Sequence, residues 1–281
     1  MNRFALVFVA LLIAASTWSW PDAAAAQLTL YDDFAGPLID FSKWYGTTSE
    51  AGSGSGNPTT EFAREIVRGQ LRVAITQYGL ANTDSGSSGS FIRLSVNQNS
   101  VAFNTIQAKV TVTAGSAASC PLTNPGASSR SRAQILGSFF NDGTSPAAGD
   151  RTGDIIGFIQ KVVNTTTGNV IEAGISRCPN PTCINTVTLT FQQFVTTWAP
   201  NKAHTLTLTW DKANHQFVYS VKAGLAATET MMLPYTLSDT APAVLPTRQL
   251  GASDSVPNCT SAGGQLQSLM DARFDSVMTA P

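Results

Sequence analysis

Charge is scarce in this sequence. Asp, Glu, Lys and Arg make up 12% of it, about half the usual share of a soluble domain. The balance is 17 Lys and Arg against 18 Asp and Glu, a formal net charge of −1. That excludes a broad basic face for nucleic acid, because phosphate binding takes clustered Lys and Arg. It also excludes an acidic solvating tail. There are only two histidines, His204 and His215, so imidazole-based metal sites and base-activated nucleophiles have little support. No Gly-x-Ser-x-Gly elbow precedes a helix, and GSGSG at 52–56 fits that string only through low complexity. P-loop, dinucleotide-fold glycine and zinc patterns are absent, as is any internal repeat of 20–50 residues. After residue 26 no apolar run reaches the ~18 residues of a membrane span, so membrane insertion is not expected.

What is present begins with a targeting segment. Arg3 gives a short positive region, Phe4 to Ala15 is an unbroken apolar run of 12 residues, and Ala24-Ala25-Ala26 offers a small-residue cleavage site. The alternative, a membrane anchor, fails on length, since twelve residues at 1.5 Å each fall short of ~30 Å of hydrocarbon. Residues 1–26 are therefore expected to be a signal peptide and 27–281 a single secreted domain, extracellular or periplasmic. The four cysteines, 120, 178, 183 and 259, all follow the cleavage point, and an even set in an exported chain points to disulfides. Cys178 and Cys183 enclose Pro-Asn-Pro-Thr, a natural tight loop, which leaves Cys120 for Cys259. A zinc site is the weaker alternative, because Cys-x-x-Cys is missing.

The body of the chain has period two, which predicts strands. In IQAKVTVT (106–113) Ile106, Ala108, Val110 and Val112 share one face; in HTLTLTW (204–210) Leu206, Leu208 and Trp210 do; in QFVYSVK (216–222) Phe217, Tyr219 and Val221 do. Further strands are expected at 70–75, 91–96, 132–140, 154–163, 169–176, 186–191 and 271–278, with Asp211 to His215 as a hairpin loop. Residues 238–264, with three Pro and no clear period, are expected to form a long rim loop. No amphipathic helix is evident. Ten or more strands between turns predict an all-β, two-sheet antiparallel sandwich.

Three segments carry a resemblance: the opening YDDFAGPLIDFSKW (31–44), the segment EIVRGQLRVAI (65–75) and the closing ARFDSVMT (272–279). In this order, at these ends, the chain resembles the concanavalin A-like lectin/glucanase superfamily, especially its family 16 (laminarinase and lichenase) branch. The resemblance implies a concanavalin A-like jelly roll over nearly all of residues 27–281. It also implies a catalytic Glu-x-Asp-x-Glu or Glu-x-Asp-x-x-Glu strand, and here the sequence departs. In GDIIGFIQ (153–160) Asp154 stands at the first Glu, Ile156 at the Asp, and Phe158 or Ile159 at the last Glu. An apolar side chain can neither donate a proton nor attack an anomeric carbon. The same resemblance implies a structural Ca²⁺ joining Asp275 to the carbonyls of Asp33 and Gly69, hard oxygen ligands that suit this ion; no other cofactor is expected.

Alternation predicts which side chains leave the core: Lys109, Arg132, Gln134, Asp154, Phe158 and Glu172, with Trp198 in a following loop as an exposed sugar platform. Polar groups beside rings suit sugars, so the expected function is non-hydrolytic carbohydrate binding on the concave sheet. Two alternatives stay open. Asp154 and Glu172, if ~5 Å apart, would make a retaining glycosidase pair, and Arg132 with Lys109 would suit an acidic sugar as in a polysaccharide lyase. The other alternative is a structural or surface-interaction protein in which the exposed charges pair with each other, Arg132 with Asp154 for example. Asn164 and Asn258 begin glycosylation sequons.

Overall fold

The computed structural model describes residues 27–51, 60–97, 103–120, 129–145, 147–183, 185–260 and 265–281, with the side chains of 47–51 outside the description. The expected signal segment 1–26 and the GSGSG stretch lie outside the described residues. The described chain contains β1 (Thr29–Asp32), β2 (Trp44–Ala51), β3 (Thr60–Val67), β4 (Gln70–Tyr78), β5 (Ser87–Val96), β6 (Thr105–Ser116), β7 (Arg130–Asn141), β8 (Asp154–Asn164), β9 (Gly168–Arg177), β10 (Val187–Thr197), β11 (Ala203–Asp211), β12 (Gln216–Lys222), β13 (Glu229–Pro234), β14 (Arg248–Pro257) and β15 (Gln267–Ala280). One 3₁₀ turn, Lys212–Asn214, makes the expected hairpin loop between β11 and β12. Among the described residues no helix is long and apolar enough to cross a membrane.

The strands form two antiparallel sheets. One runs β13-β12-β11-β6-β15-β4-β3, with β1 also paired to β15; the other runs β10-β9-β8-β7-β14-β5-β2. The alternation read from the sequence is what joins them. Ile106, Ala108, Val110 and Val112 of β6, with Leu206 and Leu208 of β11, face Ala133, Ile135 and Phe139 of β7 and Ile171, Ala173 and Ile175 of β9 in one continuous core. Burying each large aliphatic chain contributes about 1.5–3 kcal/mol, enough to fix the register of every inner strand. Both expected disulfides are formed, Cys120 to Cys259 with Cα atoms 6.2 Å apart and Cys178 to Cys183 with Cα atoms 4.9 Å apart.

The rim loop expected at 238–264 is corrected. Residues 248–257 form β14, a central strand between β7 and β5. Its inward face is Arg248, Leu250, Ala252, Asp254 and Val256, all buried, and the charged residues Arg248 and Asp254 break the apolar alternation that would have announced it. The outward face is Gln249, Gly251, Ser253 and Ser255. The sequon at Asn258 is not a surface acceptor: the residue is buried, and its Oδ1 accepts from the Leu80 amide at 2.8 Å and from Ser88 Oγ at 2.9 Å.

A lysine also lies in the core. Lys161 of β8 is fully buried, and its Nζ reaches across the sandwich to donate to the carbonyls of Val110 at 2.8 Å and Lys202 at 2.9 Å. Burial pushes its pKa down from 10.5 to about 7. The folded form therefore binds fewer protons than the unfolded chain between those two values, and stability rises with pH across that window. Lys161→Met removes this dependence. The melting temperature of the native protein should climb relative to the variant between about pH 6 and about pH 9, measured by thermal unfolding; a constant difference would mean that the buried amine keeps its proton.

Candidate functional site

The outward face of the β10-to-β2 sheet is hollowed into a groove of about 630 Å³. Strand register lays its floor out in rows. The central row is Glu172 of β9, Gln160 of β8, Gln134 of β7, Gly251 of β14 and Arg93 of β5, each paired with the next. On one side lies Phe158, Leu136 and Gln249; on the other Arg132, Ser253 and Phe91. Beyond the first of these, Ile156 and Leu136 form a small apolar cluster with Phe158 and the Cys178–Cys183 disulfide, separate from the main core. The groove thus has an apolar end and a cationic end.

Four arginines line it: Arg93, Arg130, Arg132 and Arg151. Two are spoken for. Arg130 donates to Glu172, which also accepts from Gln160 Nε2 at 2.7 Å. Arg151 Nε donates to Asp154 at 3.2 Å. Arg93 and Arg132 have no carboxylate bonded to them among the described residues. Arg93 lies over the Phe91 ring at 3.9 Å and makes a long 3.4 Å contact to Gln249; Arg132 makes a 3.5 Å contact to Ser253. Gly251 makes room for this: a Cβ there would stand 2.9 Å from Arg93 Cγ and 2.5 Å from the Ile92 carbonyl. Burial, then the neighbouring arginine charges, push both pKa values down to about 10. Asp254 borders the groove but points between the sheets beside Ser131 and Ser268, and burial pushes its pKa up to about 8. It favours the charged form of Arg132 without bonding to it.

Of the residues expected from sequence, Arg132, Gln134, Phe158 and Glu172 meet in this groove. Three do not. Lys109 belongs to β6 of the other sheet, where its Nζ is 3.9 Å from Asp275. Trp198 is no platform: it is buried, and its Nε1 donates to the Val162 carbonyl at 2.9 Å. Asp154 is buried at the start of β8, held by Asn141 Nδ2 at 3.0 Å and by Arg151. It is six residues along β8 from Gln160, the partner of Glu172, so the two acids are separated by about 20 Å of strand at ~3.3 Å per residue. They form no pair, and Arg132 does not reach Asp154. For the expected calcium ligands, Phe274 pairs with Leu71, two residues from Gly69, and Val277 pairs with Asp32, next to Asp33, on either side of Asp275 at a bulge of β15.

No family model matches the sequence, and no curated protein matches it. Solved structures do match the fold. A laminarinase from Flavobacterium sp. UMI-01 aligns with TM-score 0.50 and 12% identity over 89% of this chain and 98% of its own. The fold is the concanavalin A-like jelly roll. An endo-1,3-beta-glucanase (laminarinase) from Thermotoga petrophila RKU-1 aligns with TM-score 0.49 and 10% identity over 92% of this chain and 99% of its own. The winged bean acidic lectin complexed with methyl-alpha-D-galactose aligns with TM-score 0.37 and 13% identity over 85% and 100%.

Sequence reasoning missed Arg93, Phe91, Gln249 and Ser253 as groove residues. The signal for the first two was present, since Ile92, Leu94 and Val96 alternate inward and leave Phe91 and Arg93 outside. Gln249 and Ser253 were lost with β14. Asp154→Ala should cost about 1–3 kcal/mol by stranding Asn141 and Arg151, read by urea unfolding. Binding in the groove centre should be unchanged; a loss there at temperatures where the variant is folded would restore Asp154 as a ligand residue.

Proposed function

We propose that this protein is exported and binds carbohydrate in the groove without cleaving it. The observation that carries this is the floor of β8, where Ile156 and Phe158 line the groove in place of paired acids. Phe158 and the exposed Phe191 offer ring faces to the apolar side of a sugar, while Gln134, Gln160, Gln249 and Glu172 offer amide and carboxylate groups to its hydroxyls. Among the described lining residues there is no Tyr or His to serve as a lyase base, and Glu172 stands without a second acid at retaining distance. Two disulfides and the apolar N-terminal segment support export.

A glycan array should give ligands, and Phe158→Ala should weaken the best of them by about tenfold. No reducing ends should be released from the same polysaccharides. Release by the native protein, lost in Glu172→Gln, would replace binding with hydrolysis; a blank array would leave a structural or surface-interaction role.

We also propose that a structural Ca²⁺ clips the last strand to the first. The carboxylate of Asp275 and the carbonyls of Asp33 and Gly69 are hard oxygen donors on segments that pair with or adjoin β15, and the ion would add charge-dipole attraction between β15, β1 and the β3–β4 turn. Chelation should then lower the melting temperature by several degrees, about what 1 kcal/mol is worth in a domain of this size. An unchanged melt removes the ion.

A further inference from the structure

Most of the groove is self-satisfied; one part is not. At the meeting of β7, β14 and β5, two guanidinium groups stand together with no bonded carboxylate among the described residues. The Nε atoms of Arg93 and Arg132 are shielded from solvent and make no hydrogen bond. Gln134 lies two residues from Arg132 on β7 and across Gly251 from Arg93; it is 94% buried and lines the groove with its Nε2 donors also unmatched. Three donors without acceptors, in a chain with so little charge, are costly to keep: each buried polar group left without a partner destabilises the fold. The like charges add to that cost, since each arginine depresses the ionisation of its neighbours. The nearest acids give only partial relief: Glu172, held by Arg130 and Gln160, and Asp254 both favour the charged form of Arg132, yet neither is bonded to it.

A neutral sugar hydroxyl cannot balance two cations. An anionic group can, and the planar forks of arginine suit carboxylate and sulfate oxygens. The apolar end of the same groove, with Phe158, Leu136 and Ile156, gives the adjoining ring a face to rest on. We propose that the groove recognises an acidic polysaccharide, with Arg93, Arg132 and Gln134 forming the subsite for a carboxylate or sulfate group carried on a sugar ring. This rests on the carbohydrate reading above and adds to it the charge of the ligand.

The test is calorimetric titration of the full mature chain with three probes: polygalacturonate for carboxylates, dextran sulfate for sulfate esters, and laminarin as a neutral glucan. At least one acidic probe should bind ten times or more tighter than laminarin, and the stronger of the two identifies the anion. Its affinity should fall as NaCl rises from ~50 to ~300 mM, as ionic contacts are screened. Arg132→Gln should reduce that affinity at least tenfold. Its melting temperature should be unchanged or higher, because a like-charge contact is removed; a purely structural arginine would lower it. Gln134→Leu, which keeps the volume and removes the donors, should weaken the acidic probe by a larger factor than it weakens laminarin. Binding of laminarin alone, or acidic binding indifferent to Arg132→Gln, overturns the acidic subsite while the carbohydrate reading stands. Binding of none of the three overturns both.

Discussion

Outside a bulge near the end of β7, every second residue of β7, β8 and β9 is committed to the space between the sheets, where Ala133, Ile135, Phe139, Ile155, Ile159, Ile171, Ala173 and Ile175 are buried together. Once that set is packed, the other set has no choice of direction. Arg132, Gln134, Gln160 and Glu172 must look outward, and antiparallel register lines three of them up across neighbouring strands. A slip of one residue in any of these strands would send an arginine or glutamine into the core and an isoleucine into the groove. The chemistry of the outer face is thus held in place by packing on the inner one. The buried ammonium of Lys161, on the inward set of β8, is the exception that the core tolerates by lending it two backbone carbonyls.

This coupling explains what could be read without coordinates. Where alternation is clean, as in 106–113, 204–210 and 216–222, strand, face and partner sheet follow from the residues, and so do Arg132, Gln134, Phe158 and Glu172 as outward positions. Alternation is silent about which of the two sheets a strand joins. Lys109 points outward as expected, yet from the other layer, with β6 packed behind the groove rather than beside it. Position along a strand is equally silent: Asp154 and Glu172 sit on neighbouring strands, but the pairing of Glu172 with Gln160 sets them far apart. Trp198 lies just past the end of β10, where no period says which way a ring turns, and its indole finds a carbonyl inside. The largest loss, β14, came from two charged residues on inward positions, Arg248 and Asp254, and small residues among the rest, which together read as a loop.

The groove's electrostatics have a similar logic. A chain with few charges has placed four arginines along one hollow and, among the described residues, bonded carboxylates to two of them. Glu172 neutralises Arg130 and orients Gln160, and Asp154 fixes Arg151 at the entrance to β8. These acids organise the site. They are spaced and bonded as partners of cations rather than as a pair facing a common atom, and the side chains between them on β8, Ile156 and Phe158, are apolar.

Sheet order has one more consequence. β15 sits between β6 and β4 in one layer and β14 between β7 and β5 in the other, so the middles of both layers come from residues 248–280. A nascent polypeptide lacking this stretch has four raw edges and no closed layer, and its earlier strands cannot settle. Assembly must wait for the final segment to emerge and be laid in by distant pairings, which are slow to find. A polypeptide with that habit remains pliable until its last strand is made.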